Sequence, residues 1–87
     1  MCTMIAGKVA VTGSAKGAGG WFALDQAYVS YDHPFHLRGE HALNLDFVNE
    51  ALGPGARVAV ELPLASARRL AAAILAALER AEAYERG

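Results

Sequence analysis

Hydrophobic and polar positions alternate near the start of the chain. Over residues 2–12, Ile5, Val9 and Val11 share one parity and the intervening positions share the other. This alternation predicts a first β-strand. Residues 13–20 hold four glycines, too many to sustain a strand or a helix, and we interpret them as a hairpin loop.

Two further strands are predicted before the middle of the chain. Residues 21–32 are rich in aromatic and β-branched side chains but alternate less cleanly, which is typical of a strand with a possible bulge. The clearest alternation follows over residues 41–47, where Asn44 and Asp46 share one face and apolar side chains share the other. The residues on the second face are His41, Leu43, Leu45 and Phe47.

The last third of the chain predicts one strand and one helix. Gly53-Pro54-Gly55 interrupts the pattern, and Arg57–Leu62 alternates again, which predicts a fourth strand. Pro63 suits a helix start, and residues 64–84 show apolar positions at helical spacing. The sequence therefore predicts one α+β domain over residues 1–87: a four-stranded antiparallel meander with a C-terminal amphipathic helix on one face.

The sheet face opposite the helix is predicted to carry mostly small, apolar side chains. Its members by parity include Ala6, Ala10, Ala42 and Ala59, whereas a solvated face is usually polar. We expect a homodimer that covers this face or pairs an edge strand. The alternative is a monomer with an alanine-rich face in water.

Composition narrows the function classes. The 87 residues carry one cysteine and a formal charge of −1, so a disulfide framework is excluded and a nucleic-acid interface is disfavoured. No signal peptide or membrane span is predicted, which favours a cytoplasmic protein. A domain this small is marginally stable without a metal, a ligand or a partner subunit.

The three histidines lie within nine residues and give the strongest chemical signal. His33, His36 and His41 are predicted to converge where the second and third strands meet, as ligands of one divalent transition metal, with Glu40 or Asp32 as a supporting carboxylate. In the alternative interpretation, His33 caps a turn, His36 faces solvent and His41 sits partly buried in a strand. A third option is metal-free acid–base chemistry, for which Glu40 and His41 are the catalytic candidates.

Two weaker signals concern Cys2 and the glycine segment. We interpret Cys2 as an inert thiol, because its parity places it away from the histidines. Lys16 lies in the glycine segment, which predicts a flexible hairpin rather than an anion-binding or substrate lid.

The second strand concentrates aromatic side chains that could line a pocket for a planar ligand. Core packing is the alternative explanation. The residues concerned are Trp21, Phe22, Tyr28 and Tyr31.

Short sequence blocks spread over nearly the whole chain resemble a family of short bacterial proteins of unknown function. The resemblance implies a single-domain protein and brings no activity with it. The blocks are Met1-Cys2-Thr3, Gly19-Gly20-Trp21-Phe22, Asp32-His33-Pro34 with His36, Glu40-His41, Leu43-Asn44, Asp46-Phe47 and Ser66-Ala67-Arg68.

Three functional hypotheses follow from these signals. The first is a small cytoplasmic metal-site protein, an accessory metalloenzyme acting on a small organic substrate through the histidine cluster. The second is a metal-free dimeric binding module for an apolar or aromatic small molecule. The third is a structural interaction domain. Whether the protein is an enzyme stays open at this point.

Overall fold

The computed structural model describes residues 5–87 and contains one open antiparallel sheet followed by one helix. The sheet order equals the chain order, so every connection between strands is a hairpin or a short loop. This confirms the predicted α+β meander with a C-terminal helix. The elements are β1 (Ile5–Gly17), β2 (Gly20–Asp32), β3 (Ala42–Val48), a short 3-10 helix (Glu50–Leu52), β4 (Arg57–Leu62) and α1 (Leu64–Arg86).

Most of the glycine segment belongs to strands: the predicted hairpin is present, but its turn is confined to Ala18 and Gly19, so a loop over all of residues 13–20 was wrong. β1 continues to Gly17, which pairs with Gly20 across a tight turn, and Ala15 pairs with Phe22. Pairing with the β-forming residues of β2 overrides the weak strand propensity of glycine. At Gly17 the missing side chain is itself useful, because a Cβ there would lie 3.2 Å from the Phe22 ring. The predicted start of this strand at residues 2–4 lies outside the described residues.

The long β1–β2 hairpin is bent by a bulge, which lies in β1 rather than in the second strand. Ala10 pairs with Gln26 and the next pair is Gly13 with Leu24, so β1 has one extra residue at this point. A bulge bends a strand and increases its twist. The hairpin tip approaches the loop before β4, because a Cβ at Gly17 would lie 3.7 Å from the carbonyl oxygen of Gly55.

The register of β3 and β4 defines two faces of the sheet. Leu43, Leu45 and Phe47 pair with Leu62, Val60 and Val58, and paired residues share a face. We call this the helix face, because α1 lies against it at a cleft of about 400 Å³. The side chains of the sheet that line this cleft are Val29, Leu43, Leu45 and Leu62.

The opposite face is not the plain alanine surface that we expected. The register does place Ala42 and Ala59 there, as predicted. However, Ala42 is only 1% exposed within the single chain and therefore cannot belong to an accessible interface. We call this side the polar face, after the members Ser30, Asn44, Asp46, Arg57 and Glu61.

The helix covers less of the sheet than predicted. α1 follows Pro63, which has an extended backbone (φ −61°, ψ 154°), and runs for 23 residues. None of these 23 described residues is buried, and every residue from Arg68 onward is exposed. The cleft contacts come from its first half, between Leu64 and Ile74. The second half carries apolar side chains that are exposed on the single chain.

The interior is correspondingly thin. The buried apolar residues among those described are Ala27, Ala42, Val48 and Ala56, and no large side chain in this part of the chain is fully buried. Within residues 5–87, no helix combines the length and the apolar character that crossing a bilayer requires.

Candidate functional site

The three histidines separate into two places. His33 and His41 stack at a ring-centroid distance of 5.1 Å and an interplanar angle of 22°, and Tyr31 stacks on His41 at 5.1 Å. His36 instead lies on the loop between β2 and β3, where its backbone N–H donates to Glu61. The side chain of Glu40 is exposed on the same loop.

This arrangement does not bring the predicted metal ligands together. Imidazole lone pairs lie in the ring plane, so two stacked rings hold their lone pairs in two nearly parallel planes instead of aiming them at one point between the rings. In the described residues 5–87, no group of three or more His, Cys, Asp or Glu side chains has a geometry that could hold a metal ion. The metalloenzyme hypothesis is therefore unsupported here.

Glu61 anchors the loop that carries the histidines. Its carboxylate accepts the backbone N–H groups of three consecutive residues: Phe35 at 2.5 Å, His36 at 2.9 Å and Leu37 at 2.9 Å. Asp32 Oδ1 accepts the N–H of His33 at 2.7 Å and fixes the start of the same loop. Carboxylates that accept several N–H groups make strong, charge-assisted hydrogen bonds.

The protonation of Glu61 reflects these contacts. The N–H groups of Leu37 and Phe35, then that of His36 and the positive potential of its ring, hold the pKa of the Glu61 carboxyl below its ordinary value. Partial desolvation opposes this shift but does not cancel it. Glu61 is consequently an anion at neutral pH, and the loop stays tethered to β4.

A cleft of about 600 Å³ lies between the anchored loop and the polar face. On one side it has the loop residues Pro34 and Phe35, and on the other it has polar side chains of the sheet. The Phe35 side chain is 97% exposed. The sheet and strand-end residues that line the cleft include Ser30, Asp32, Asn44, Asp46, Arg57 and Glu61.

The Asp46–Arg57 ion pair forms one end of this cleft. Arg57 donates from Nε to Asp46 Oδ1 at 2.8 Å, and its Nη2 lies 2.6 Å from the same oxygen. Both residues also line a second hollow of about 410 Å³, beside Tyr28, whose hydroxyl donates to Glu50 at 3.3 Å. The ion pair therefore separates two neighbouring hollows on the polar face.

The structure divides the four aromatic residues of the predicted pocket between the two faces. Trp21 and Tyr31 share the parity of Val29 and lie on the helix face, whereas Phe22 and Tyr28 lie on the polar face. Within the single chain, these four side chains therefore do not line one common pocket. Lys16, from the glycine segment, pairs with Trp21 in the strand ladder.

Sequence reasoning missed two residues that shape the cleft, Glu61 and Phe35. Glu61 interrupts the apolar run of β4, which was a signal that its side chain faces away from the core. Its partners lie 24 to 26 residues earlier, in a loop without periodicity, and no local pattern points to them. Phe35 lies in the same loop, and its exposure depends on the path of that loop, which no local sequence pattern specifies.

The comparisons with known proteins give a family and no activity. No curated protein and no solved structure matches this chain. The model of one protein family matches residues 1–86, which is nearly the full length. This confirms the resemblance noted from the sequence blocks, and the chain accordingly belongs to a family of unknown function, DUF6295.

Proposed function

We propose that this protein is a metal-free binding module that takes a small, flat, positively charged aromatic molecule in the cleft between the anchored loop and the polar face. The observation that carries the proposal is the Phe35 ring, which is 97% exposed on a loop tied down by three hydrogen bonds to Glu61. The proposed role is reversible binding, and no reaction is assigned to the site.

An exposed aromatic ring on an anchored loop favours binding for two reasons. Covering a phenylalanine side chain with an apolar partner contributes roughly 1.5–3 kcal/mol. The loop is already ordered by Glu61, so a ligand that stacks on Phe35 avoids much of the entropic cost of fixing it. The cleft volume of about 600 Å³ is within the range that small-molecule sites occupy.

The charge of the lining selects among aromatic ligands. Three carboxylates, Asp32, Asp46 and Glu61, face one guanidinium, Arg57, which leaves a formal charge of −2 with His33 neutral. Negative lining attracts a cation and repels an anion. Ser30 and Asn44 add hydrogen-bonding groups that suit the polar substituents of a ring.

Three probes that share one ring test this proposal: benzamidine, benzamide and benzoate. We expect binding to weaken in that order, with a dissociation constant of roughly 1 mM for benzamidine. Amide shifts in NMR spectra of the ¹⁵N-labelled protein measure the binding, and the shifts should cluster at Phe35, Asn44 and Arg57. Equal binding of all three probes, or shifts confined to the helix face, would contradict the proposal.

The Phe35→Ala variant should weaken benzamidine binding at least about fivefold, because the stacking surface is lost. Leu52→Ala is the matched control, since Leu52 is exposed and does not line the cleft. Elemental analysis of protein purified without a histidine tag tests the metal-free part. One equivalent of a transition metal would favour the metal-site hypothesis instead.

A further inference from the structure

We propose that α1 is a dimerisation element: two copies of the chain pair their α1 helices antiparallel, and the second half of each helix closes the apolar cleft of the other copy. This proposal concerns the helix face and is independent of the ligand cleft on the polar face. Five observations support it.

The first observation is the apolar stripe of α1. Leu70, Ile74, Leu75 and Leu78 recur at helical spacing, and each is between 44% and 62% exposed on the single chain. An amphipathic helix of a globular protein normally buries such a stripe. In α1 the stripe instead continues past the cleft, whose lining ends at Ile74.

The second observation is the amount of exposed surface. The chain exposes 6611 Å², whereas a compact monomer of this mass exposes about 4,900 Å². The excess of about 1,700 Å² is larger than the about 800 Å² per partner that a standard interface buries. The radius of gyration of 14.8 Å likewise exceeds the about 12 Å of a compact domain of this length.

The third observation is the apolar cleft itself. It has about 400 Å³ of space between Leu43, Leu62 and the first half of α1, and it is open to solvent. An antiparallel partner places its Leu75 and Leu78 beside this first half, where the cleft accepts them. Burial of these side chains would give the domain the large interior residues that its described part lacks as a single chain.

The fourth observation is charge, which selects the orientation. Glu79 and Glu82 follow Arg68 by 11 and 14 residues, or about three and four turns, so all three lie along one border of the stripe, the border to which Leu75 belongs. In an antiparallel pair, this border of one helix lies against the same border of the other helix, which runs in the opposite direction. Arg68 therefore faces the partner's acidic side chains. In a parallel pair the corresponding borders lie on opposite sides of the interface, so Arg68 would not face the partner's Glu79 or Glu82.

The fifth observation disfavours the edge of β1 and the polar face as interfaces. The free edge of β1 carries Lys8, Lys16 and the bulge after Ala10, which are features that protect an edge strand from pairing. On the polar face, Ala42 is buried within the chain and charged side chains surround the cleft. The partner that packs against α1 is therefore a second copy of the chain, because one helix supplies both halves of a self-complementary surface.

Sedimentation velocity over a concentration series tests the interface. The wild type should dimerise, and Leu78→Glu should raise the dimer dissociation constant roughly 100-fold or more, because each dimer would bury two unpaired carboxylates. Leu75→Glu should act in the same way. Ala76→Glu is the matched control, since it adds the same charge to the opposite side of α1 and should leave the constant within about twofold.

Circular dichroism checks that each variant remains folded, which we expect because these positions are exposed on the single chain. A monomeric wild type, or a folded Leu78→Glu protein that dimerises normally, would overturn the proposal.

Charge reversal tests the orientation. Arg68→Glu should weaken the dimer roughly threefold to tenfold. Combining it with Glu79→Arg and Glu82→Arg should restore the wild-type affinity, because every facing pair is again opposite in charge. In a parallel pair Arg68 does not face these acidic residues, so a dimer indifferent to all these changes would overturn the antiparallel arrangement.

Discussion

The loop over residues 33–41 and the helix α1 differ in how they are held to the rest of the molecule. The loop has no regular secondary structure, yet Glu61 joins three of its backbone N–H groups to β4. The helix is fully regular over 23 residues, yet none of its described residues is buried. Regular secondary structure and tertiary anchoring therefore come from separate interactions, and each has to be tested separately.

The largest expected effect concerns Ala42, where the anchored loop rejoins the sheet. Ala42→Glu places a carboxylate at a position that is 1% exposed, so we expect a loss of about 3–5 kcal/mol of unfolding free energy. Ala59→Glu is the control, because Ala59 lies on the same face and is exposed. Urea denaturation of both variants measures the difference, and equal losses would show that the loop end is not packed as described.

Dilution should affect the helix more than the loop. An isolated helix of this length is marginal in water, so amides over residues 70–84 should exchange at least about tenfold faster once the proposed dimer dissociates. The amides of Phe35, His36 and Leu37 should be unaffected, because their acceptor is in the same chain. Hydrogen exchange at two protein concentrations measures this. Equal changes in the exchange rates of the loop and the helix would contradict the prediction.

Replacing Glu61 should speed hydrogen exchange in the loop and leave the helix unaffected. Glu61→Gln retains an acceptor oxygen but loses the charge, so the amides of Phe35, His36 and Leu37 should exchange about threefold faster while α1 is unchanged. Glu40→Gln is the control, since Glu40 is an exposed carboxylate of the same loop. Unchanged exchange in the Glu61 variant would mean that other contacts hold the loop.

Acid should release the same anchor. The pKa of Glu61 is lowered in the folded chain, so its contribution to stability is complete above the ordinary glutamate pKa and disappears as the pH falls through the lowered value. The three loop amide shifts should therefore stay constant from neutral pH down to the ordinary range and change only below it. A titration of these shifts by NMR gives the midpoint, and a midpoint above the ordinary value would contradict the stated direction.

The smallest effect is expected at His36. Its side chain is exposed and the loop uses its backbone N–H, so His36→Ala should change the unfolding free energy by no more than about 0.5 kcal/mol. Thermal unfolding with and without added zinc measures this. A large loss, or a zinc-dependent stabilisation that the variant lacks, would favour the metal hypothesis.

The sequence predicted those elements whose signal is local. The alternation at Leu43, Leu45 and Phe47 and the helical spacing after Pro63 each report on one element, and both were confirmed. The predicted loop over residues 13–20 was too long, because pairing with β2 keeps most of the glycine segment in the strand. The histidines were correctly expected between two strands, but their convergence depended on the path of a loop that has no periodicity.

The anchoring of the loop through its main chain has a consequence for protein engineering. Glu61 binds residues 35–37 through their backbone N–H groups, so these hydrogen bonds do not depend on which side chains the three residues carry. Any residue except proline, which lacks the N–H group, satisfies this requirement. These three positions therefore offer a display scaffold, at which new side chains can be presented beside a ready-made cleft without redesign of the loop.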